Sequence, residues 1–153
     1  MSVSDVMTTS VHTCRAYEPL SRVAGIMWHF DVGAVPVVDG CNRPVAMITD
    51  RDICMAAYTR NVPIDQLRVD GAMSKELVTI GPDASLAACE ELMRWWKIRR
   101  IPVVDANGTL VGVVTLSDLA KELLHQYPPT PVPQLARTLA TISQRGRAEE
   151  TQE

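Results

Sequence analysis

The strongest constraint on this chain is that one stretch of it is written twice. Val32 to Ile53 reads VGAVPVVDGCNRPVAMITDRDI, and Ile98 to Leu119 reads IRRIPVVDANGTLVGVVTLSDL. Pro36 falls on Pro102, Asp39 on Asp105, Thr49 on Thr115 and Asp52 on Asp118, all at one offset of 66 and without a gap. A fixed period marks one supersecondary unit used twice, and such units recur because neither copy buries its apolar face alone. A chain of 153 residues hides about 68–70% of its unfolded surface, against about 60% for a lone repeat of roughly 60 residues. One core shared by two halves is therefore expected.

The periodicity inside each copy predicts its elements. Val11 to Ala16 reads as a short strand, and Leu20, Val23, Met27 and Phe30 then mark one face of a helix, repeated as Leu86, Cys89, Met93 and Trp96. Pro19 precedes the first helix, and Pro82 with Asp83 the second. Ala34–Val38 and Arg100–Val104 are β-branched runs, each with a proline near its start, where a missing ladder donor does least harm. Asn107-Gly108 predicts a type I′ hairpin turn, with Gly40 to Asn42 as a looser counterpart. Val45 to Thr49 and Leu110 to Thr115 return as strands, and helices follow through Arg60 and His125. Each repeat is thus β-α-β-β-α, and the chain divides into residues 3–60, a connector at 61–69, residues 70–126, and a tail at 127–153. The lead-in VSDVM at residues 3 to 7 is echoed by VDGAM at 69 to 73. The tail opens with PPTPVP, a stiff polyproline-like spacer, then a helical face of Leu135, Leu139 and Ile142, then a polar, frayed end.

Composition removes several function classes. The hydrophobic fraction of 46% and charged fraction of 22% suit a soluble domain, and no apolar run approaches the roughly 18 residues of a membrane span. Met1 to Ser10 has neither the basic region nor the apolar segment of a secretory leader. A net charge of −3 gives no basic face for a nucleic acid backbone. Cys14, Cys41, Cys54 and Cys89 show no CxxC spacing and fall mostly in apolar runs, which predicts free thiols in a reducing cytoplasm. Three scattered histidines, no metal cluster and no Gly-rich phosphate loop assemble no catalytic set.

The chemistry that remains sits where each returning strand enters its helix, at Thr49-Asp50-Arg51-Asp52 and Thr115-Leu116-Ser117-Asp118. Two readings stand side by side. Thr-x-x-Asp is a capping box, in which hydroxyl and carboxylate satisfy each other's backbone donors. A helix N-terminus also favours phosphate, with the hydroxyl adding a donor and the carboxylate accepting from ribose hydroxyls. The element occurs twice, joined each time to a PVVD hairpin. With G-x-x-PVVD and the hydrophobic turn into T-x-x-D, the β-α-β-β-α repeat resembles the CBS domain, and the tandem pair resembles the Bateman module, over about residues 3 to 125.

The resemblance implies an α+β fold in which two CBS repeats pack about a pseudo-twofold axis into one disc-like module with two clefts for adenosine-containing ligands: ATP, ADP or AMP, S-adenosylmethionine or NAD. By the family pattern the first cleft would use Thr49, Arg51 and Asp52 with Thr79, Ile98, Arg99 and Arg100. The second would use Thr115, Ser117 and Asp118 with Thr13, Val32 and Gly33. Three arginines against hydroxyls alone predicts a di- or triphosphate in the first cleft and a monophosphate or uncharged adenosine in the second. Ala46 departs from the family's glycine, which Gly112 retains. Arg99 and Arg100 have a plainer reading as solvated side chains or as partners of Asp31 and Glu90.

The module is expected to be non-enzymatic and to relay ligand state to an effector protein, as a homodimer with Trp95 or Trp96 at its contact. The alternative is a ligand-free interaction module acting through the dimer face and the tail. A third reading, a metal-linked redox sensor, rests on His12 and Cys14 sharing a strand face, two ligands where a site needs three or four.

Overall fold

The structure is a computed structural model, and it describes residues 1–126 and Thr138; the expected proline spacer, tail helix and polar end lie outside the described residues. Each repeat holds a helix, a hairpin and a second helix. The first comprises α1 (Leu20–Phe30), β1 (Ala34–Val38), β2 (Pro44–Thr49) and α2 (Asp50–Arg60). The second comprises α3 (Leu86–Trp96), β3 (Arg100–Val104), β4 (Leu110–Thr115) and α4 (Leu116–Gln126). β1 with β2 and β3 with β4 form separate antiparallel sheets whose registers match at the 66-residue offset, Ala34 opposite Thr49 and Arg100 opposite Thr115.

The expected first strand of each repeat shrinks to a single parallel bridge, Cys14 to Val37 and Ile80 to Val103. The prolines explain this. Cys14 N–H donates to the Pro36 carbonyl and its own carbonyl accepts from Val38 N–H. Extending the ladder backwards would need an N–H from Pro36, which has none. In the other direction the Val38 carbonyl is taken by the Arg15 guanidinium and the Ala16 carbonyl by Asp70 N–H. Ile80 stands in the same relation to Pro102 and Val104.

The hairpin turn also differs from expectation. Of Asn107 and Gly108 only the glycine has positive φ, at 78°, so a type I′ turn does not form. Gly108 N–H instead donates to the Asp105 carbonyl, and the ladder slips by one residue after Val103, as in a type I turn closed by a left-handed residue and a bulge. Asn42, at φ 59°, does the same in the first repeat, where its short polar side chain tolerates the left-handed region. The aspartate of each PVVD builds the turn: Asp105 Oδ1 accepts from the N–H groups of Asn107 and Thr109, and Asp39 Oδ1 from those of Cys41 and Arg43. The Arg43 N–H, first among several bonds, holds the Asp39 carboxyl below its ordinary pKa.

Two cores form, and each borrows from the other repeat. Leu20, Val23, Met27, Val35, Val37 and Ile48 are joined by Leu67 and Val69 from the connector. Cys89, Met93, Ile101, Val103 and Val114 are joined by Val3, with Val6 and Met7 packed against them. Val3 N–H donates to the Ala84 carbonyl, and Val69 N–H to the Glu18 carbonyl. Each lead-in therefore packs against the other repeat's hairpin. The ends of the two predicted helical stripes escape the cores: Phe30 is exposed and stacked on His12, and Trp96 is 45% exposed.

One departure from internal symmetry in the strands, Ala46 against Gly112, has a mechanical consequence. A Cβ at Gly112 would meet Met7 Sδ at 2.6 Å and the Thr8 carbonyl oxygen at 3.0 Å, because Thr8 and Val113 exchange both backbone bonds there. At the matching place Ala46 is buried and carries its Cβ. Ser74 N–H still donates to the Met47 carbonyl, but the return bond from Met47 N–H goes to the Ser74 hydroxyl rather than to a carbonyl. The serine side chain thus replaces a backbone acceptor. Gly112→Ala is expected to cost about 1–3 kcal/mol by overpacking, and Ala46→Gly only about 0.5–1 kcal/mol by added chain entropy. Urea unfolding of both variants measures the difference, and equal costs would contradict this account of the two turns.

Candidate functional site

Both strand-to-helix turns adopt the capping box in full. Thr49 N–H and Oγ1–H both donate to Asp52 Oδ2 at 2.8 Å, and Asp52 N–H returns a bond to Thr49 Oγ1 at 3.2 Å. At the second turn the same three bonds join Thr115 and Asp118 at 2.9, 2.7 and 3.2 Å. In each turn the two bonds to the aspartate side chain go to the same carboxylate oxygen, Oδ2. The cap and the ligand readings are therefore compatible: Oδ1 of each aspartate takes no part in the box and can accept from an incoming hydroxyl.

Each turn opens on a cavity between the repeats. The first, of about 360 Å³, brings together Thr49, Arg51, Asp52, Ile98, Arg99 and Arg100 as expected; Thr79 is not among its walls, and Leu77 and Val78 line it instead. The second, of about 260 Å³, holds Val32, Gly33 and Thr115, while Thr13, Ser117 and Asp118 are not in its lining; Val11 and His12 stand where Thr13 was expected. The extended segment that would have aimed Thr13 and Thr79 inward is only a bridge at Cys14 and Ile80, one residue on in each case.

The charge pattern is more even than the sequence indicated. Asp50 and Glu76 line the first cavity beside its three arginines, and Arg100 reaches the second cavity as well, together with Asp31. The second cleft therefore does not offer hydroxyls only. Neither arginine takes the plainer partner proposed for it: among the described residues the ion pairs are Arg22–Glu18, Arg43–Asp39 and Arg68–Asp70. Glu90, buried on α3, accepts instead from the Thr138 hydroxyl. Trp96 is the wall residue that the helical stripe concealed, because the stripe assigns it inward to the core whereas α3 ends there and turns it to the first cavity.

His12 and Cys14 do not make a metal pair. Cys14 is buried, and burial, reinforced by Glu18, pushes its thiol pKa up to about 12; burial and then Glu90 push Cys89 to about 11. Among the described residues no group of three or more His, Cys, Asp and Glu could hold a metal ion. Cys41 and Cys54 are exposed. A disulfide-exchange reagent at pH 8 is expected to titrate these two thiols quickly and the other two only after denaturation, since the thiolate is the reacting form. Fast reaction at all four would mean that the cores open readily.

Known proteins agree with this architecture. The family model described as the CBS domain matches twice, at residues 3–58 and 68–125, and the chain belongs to the CBS-domain family. The CBS domain-containing protein YhcV of Bacillus subtilis is 42% identical over 120 residues, which span 78% of this chain and 83% of that protein. The inosine-5′-monophosphate dehydrogenase of Mycobacterium tuberculosis is 34% identical over 121 residues, 78% of this chain but 22% of the dehydrogenase. The CBS domain pair of protein MJ0100, solved with 5′-methylthioadenosine and S-adenosyl-L-methionine, has a TM-score of 0.74 at 23% identity and covers 83% of this chain and 98% of that one. No helix among the described residues is long and apolar enough to cross a membrane.

Proposed function

We propose that the protein is a non-enzymatic regulatory module that binds adenosine-containing ligands in the two clefts between its CBS repeats and passes the ligand state to a partner protein. The observation that carries this reading is the pair of cavities, each opening beside a capped Thr-x-x-Asp turn and walled by the other repeat. The CBS pair of MJ0100, of the same fold, is described with two adenosine derivatives bound. In the first cleft the helix N-terminus at Thr49 and the guanidinium groups of Arg51, Arg99 and Arg100 face the place of a phosphate chain. Oδ1 of Asp52 accepts from the ribose, and the Trp96 ring offers an apolar face. This cleft takes the di- or triphosphate. The second, smaller and with Arg100 as its arginine, takes a monophosphate or an uncharged adenosine. Signalling requires that the ligand bind two arrangements of the repeats, or of a dimer, with different affinity.

Calorimetric titration with ATP, ADP, AMP, S-adenosylmethionine and NAD tests the reading. Asp52→Ala is expected to weaken ATP by about 10- to 100-fold, the size of a lost charge-assisted hydrogen bond of roughly 1.5–3 kcal/mol, and Thr115→Ala, at the wall of the second cleft, to weaken AMP by a smaller factor. At 100 times its dissociation constant a ligand adds about 2.7 kcal/mol of stability, which thermal unfolding resolves. Absence of binding by all five at millimolar concentration would overturn the reading in favour of a ligand-free interaction module.

We also propose a homodimer through the helical face. Trp28, Tyr58 and Trp95 project from α1, α2 and α3 at 85%, 80% and 82% exposure, and large exposed aromatics are characteristic of interface cores. Light scattering is expected to give twice the chain mass, and Trp28→Glu with Trp95→Glu to give the monomer; a monomeric wild type removes this part of the proposal.

A further inference from the structure

The two clefts share walls. Ala34 and Arg100, which occupy equivalent places at the 66-residue offset, line both cavities. Each opens its hairpin, opposite the threonine of its own turn. Where two copies of one position meet between two sites, the chain has placed one small residue and one long cation. The Arg100 guanidinium lies over Gly33: a Cβ there would meet Arg100 Nη2 at 3.1 Å and Asp50 Oδ2 at 3.3 Å. Gly33 lines the second cavity and Asp50 the first, so the guanidinium stands at their boundary. Among the described residues it has no ion pair to anchor it to either side.

We infer that Arg100 is a shared phosphate ligand that couples the clefts negatively, so that an anionic nucleotide in one weakens binding of an anionic nucleotide in the other. This rests on the ligand-binding reading above and adds to it a regulation of the same sites. A guanidinium turned so that two parallel N–H groups grip one phosphate presents that edge to one cleft and not to the other. When the first cleft draws Arg100, the second loses its arginine and gains an anion across a thin wall. An uncharged adenosine makes no demand on Arg100 and is indifferent to the state of the first cleft. The exchange of Ala for Arg at the axis thus converts a symmetric pair of sites into a comparator of charged against uncharged adenosyl ligands.

The test multiplies the ATP dissociation constant of the wild-type first cleft by the AMP dissociation constant of the second cleft once ATP fills the first, and compares this with the same product measured one cleft at a time, ATP in Thr115→Ala and AMP in Asp52→Ala. Negative coupling makes the wild-type product larger by at least about fivefold, the lower end of ordinary allosteric coupling. The same comparison in an Arg100→Ala background is expected to give equal products. Gly33→Ala, whose Cβ displaces the guanidinium while leaving the charge in the chain, serves as the second variant and is expected to shrink the discrepancy. Adenosine in place of AMP as the second-cleft probe is expected to show none. Equal products in the wild type, or a discrepancy that survives Arg100→Ala, would overturn the coupling while leaving the binding reading intact. No ATP binding in any variant would overturn both.

Discussion

Val3 and Val69 are fully buried, each in a core that the other repeat supplies. Burying a valine is worth roughly 1.5–3 kcal/mol, and each brings with it a short backbone ladder, Thr8 to Val113 in one case and Ser74 to Met47 in the other. A repeat cut away at its sequence boundary would lose that apolar plug and leave strand donors and acceptors unpaired, which is costly in a buried setting. The exchange holds the hairpins next to each other, and Asn42 and Leu110 add a direct bond between them, Leu110 N–H to the Asn42 carbonyl. The clefts exist only because of this arrangement, since each takes walls from both halves.

On the proposed reading, the turn that opens each cleft does two jobs without conflict because the carboxylate has two oxygens. Oδ2 of Asp52 and of Asp118 holds the helix start, accepting from both the backbone and the hydroxyl of its threonine. The turn is rigid before anything binds, so a ligand there meets an aspartate already oriented and loses little further side-chain freedom. Cap and site are two uses of one geometry.

The repeat, the four principal helices and both hairpins were legible in the sequence because they follow from periodicity and from turn chemistry. The bounds of β1 and β3 fall on Ala34–Val38 and Arg100–Val104 as the β-branched runs indicate. The first strands were misjudged because Val11 to Ala16 satisfies the local pattern while Pro36 and Pro102, in a different segment, remove the donors that a ladder needs. The turn type failed for a similar reason: Asp105 captures the amides of Asn107 and Thr109 and draws the loop away from the geometry that Asn-Gly prefers. At the site, Thr49, Arg51, Asp52, Thr115 and the Ile98 to Arg100 segment could be placed beside the cavities by the family pattern, whereas Ser117 and Asp118 lie outside the second lining. Thr79 and Thr13 could not, since a residue's aim depends on pairing that the copies share but do not announce. Arg100 reaching both clefts was invisible because no linear pattern records that the hairpin starts, Ala34 and Arg100, both line both cavities.

The walls of the first cleft bear on how selectivity arises there. Arg51, Arg99 and Arg100 are set against Asp50, Asp52 and Glu76, so the formal charges cancel and no strong attractive field gathers anions from a distance. An anionic ligand in such a site is held by directed guanidinium bonds that require its oxygens in the right places, not by excess charge. Screening by salt acts chiefly on long-range fields between exposed charges and little on close, partly buried bonds. On the proposed reading, a cleft built this way discriminates by the shape and length of a phosphate chain, with an affinity that depends weakly on ionic strength. The second cleft, with one arginine against Asp31, balances in the same manner on a smaller scale. What distinguishes the two is therefore the number of guanidinium forks within reach, and the only fork common to both is the one at position 100.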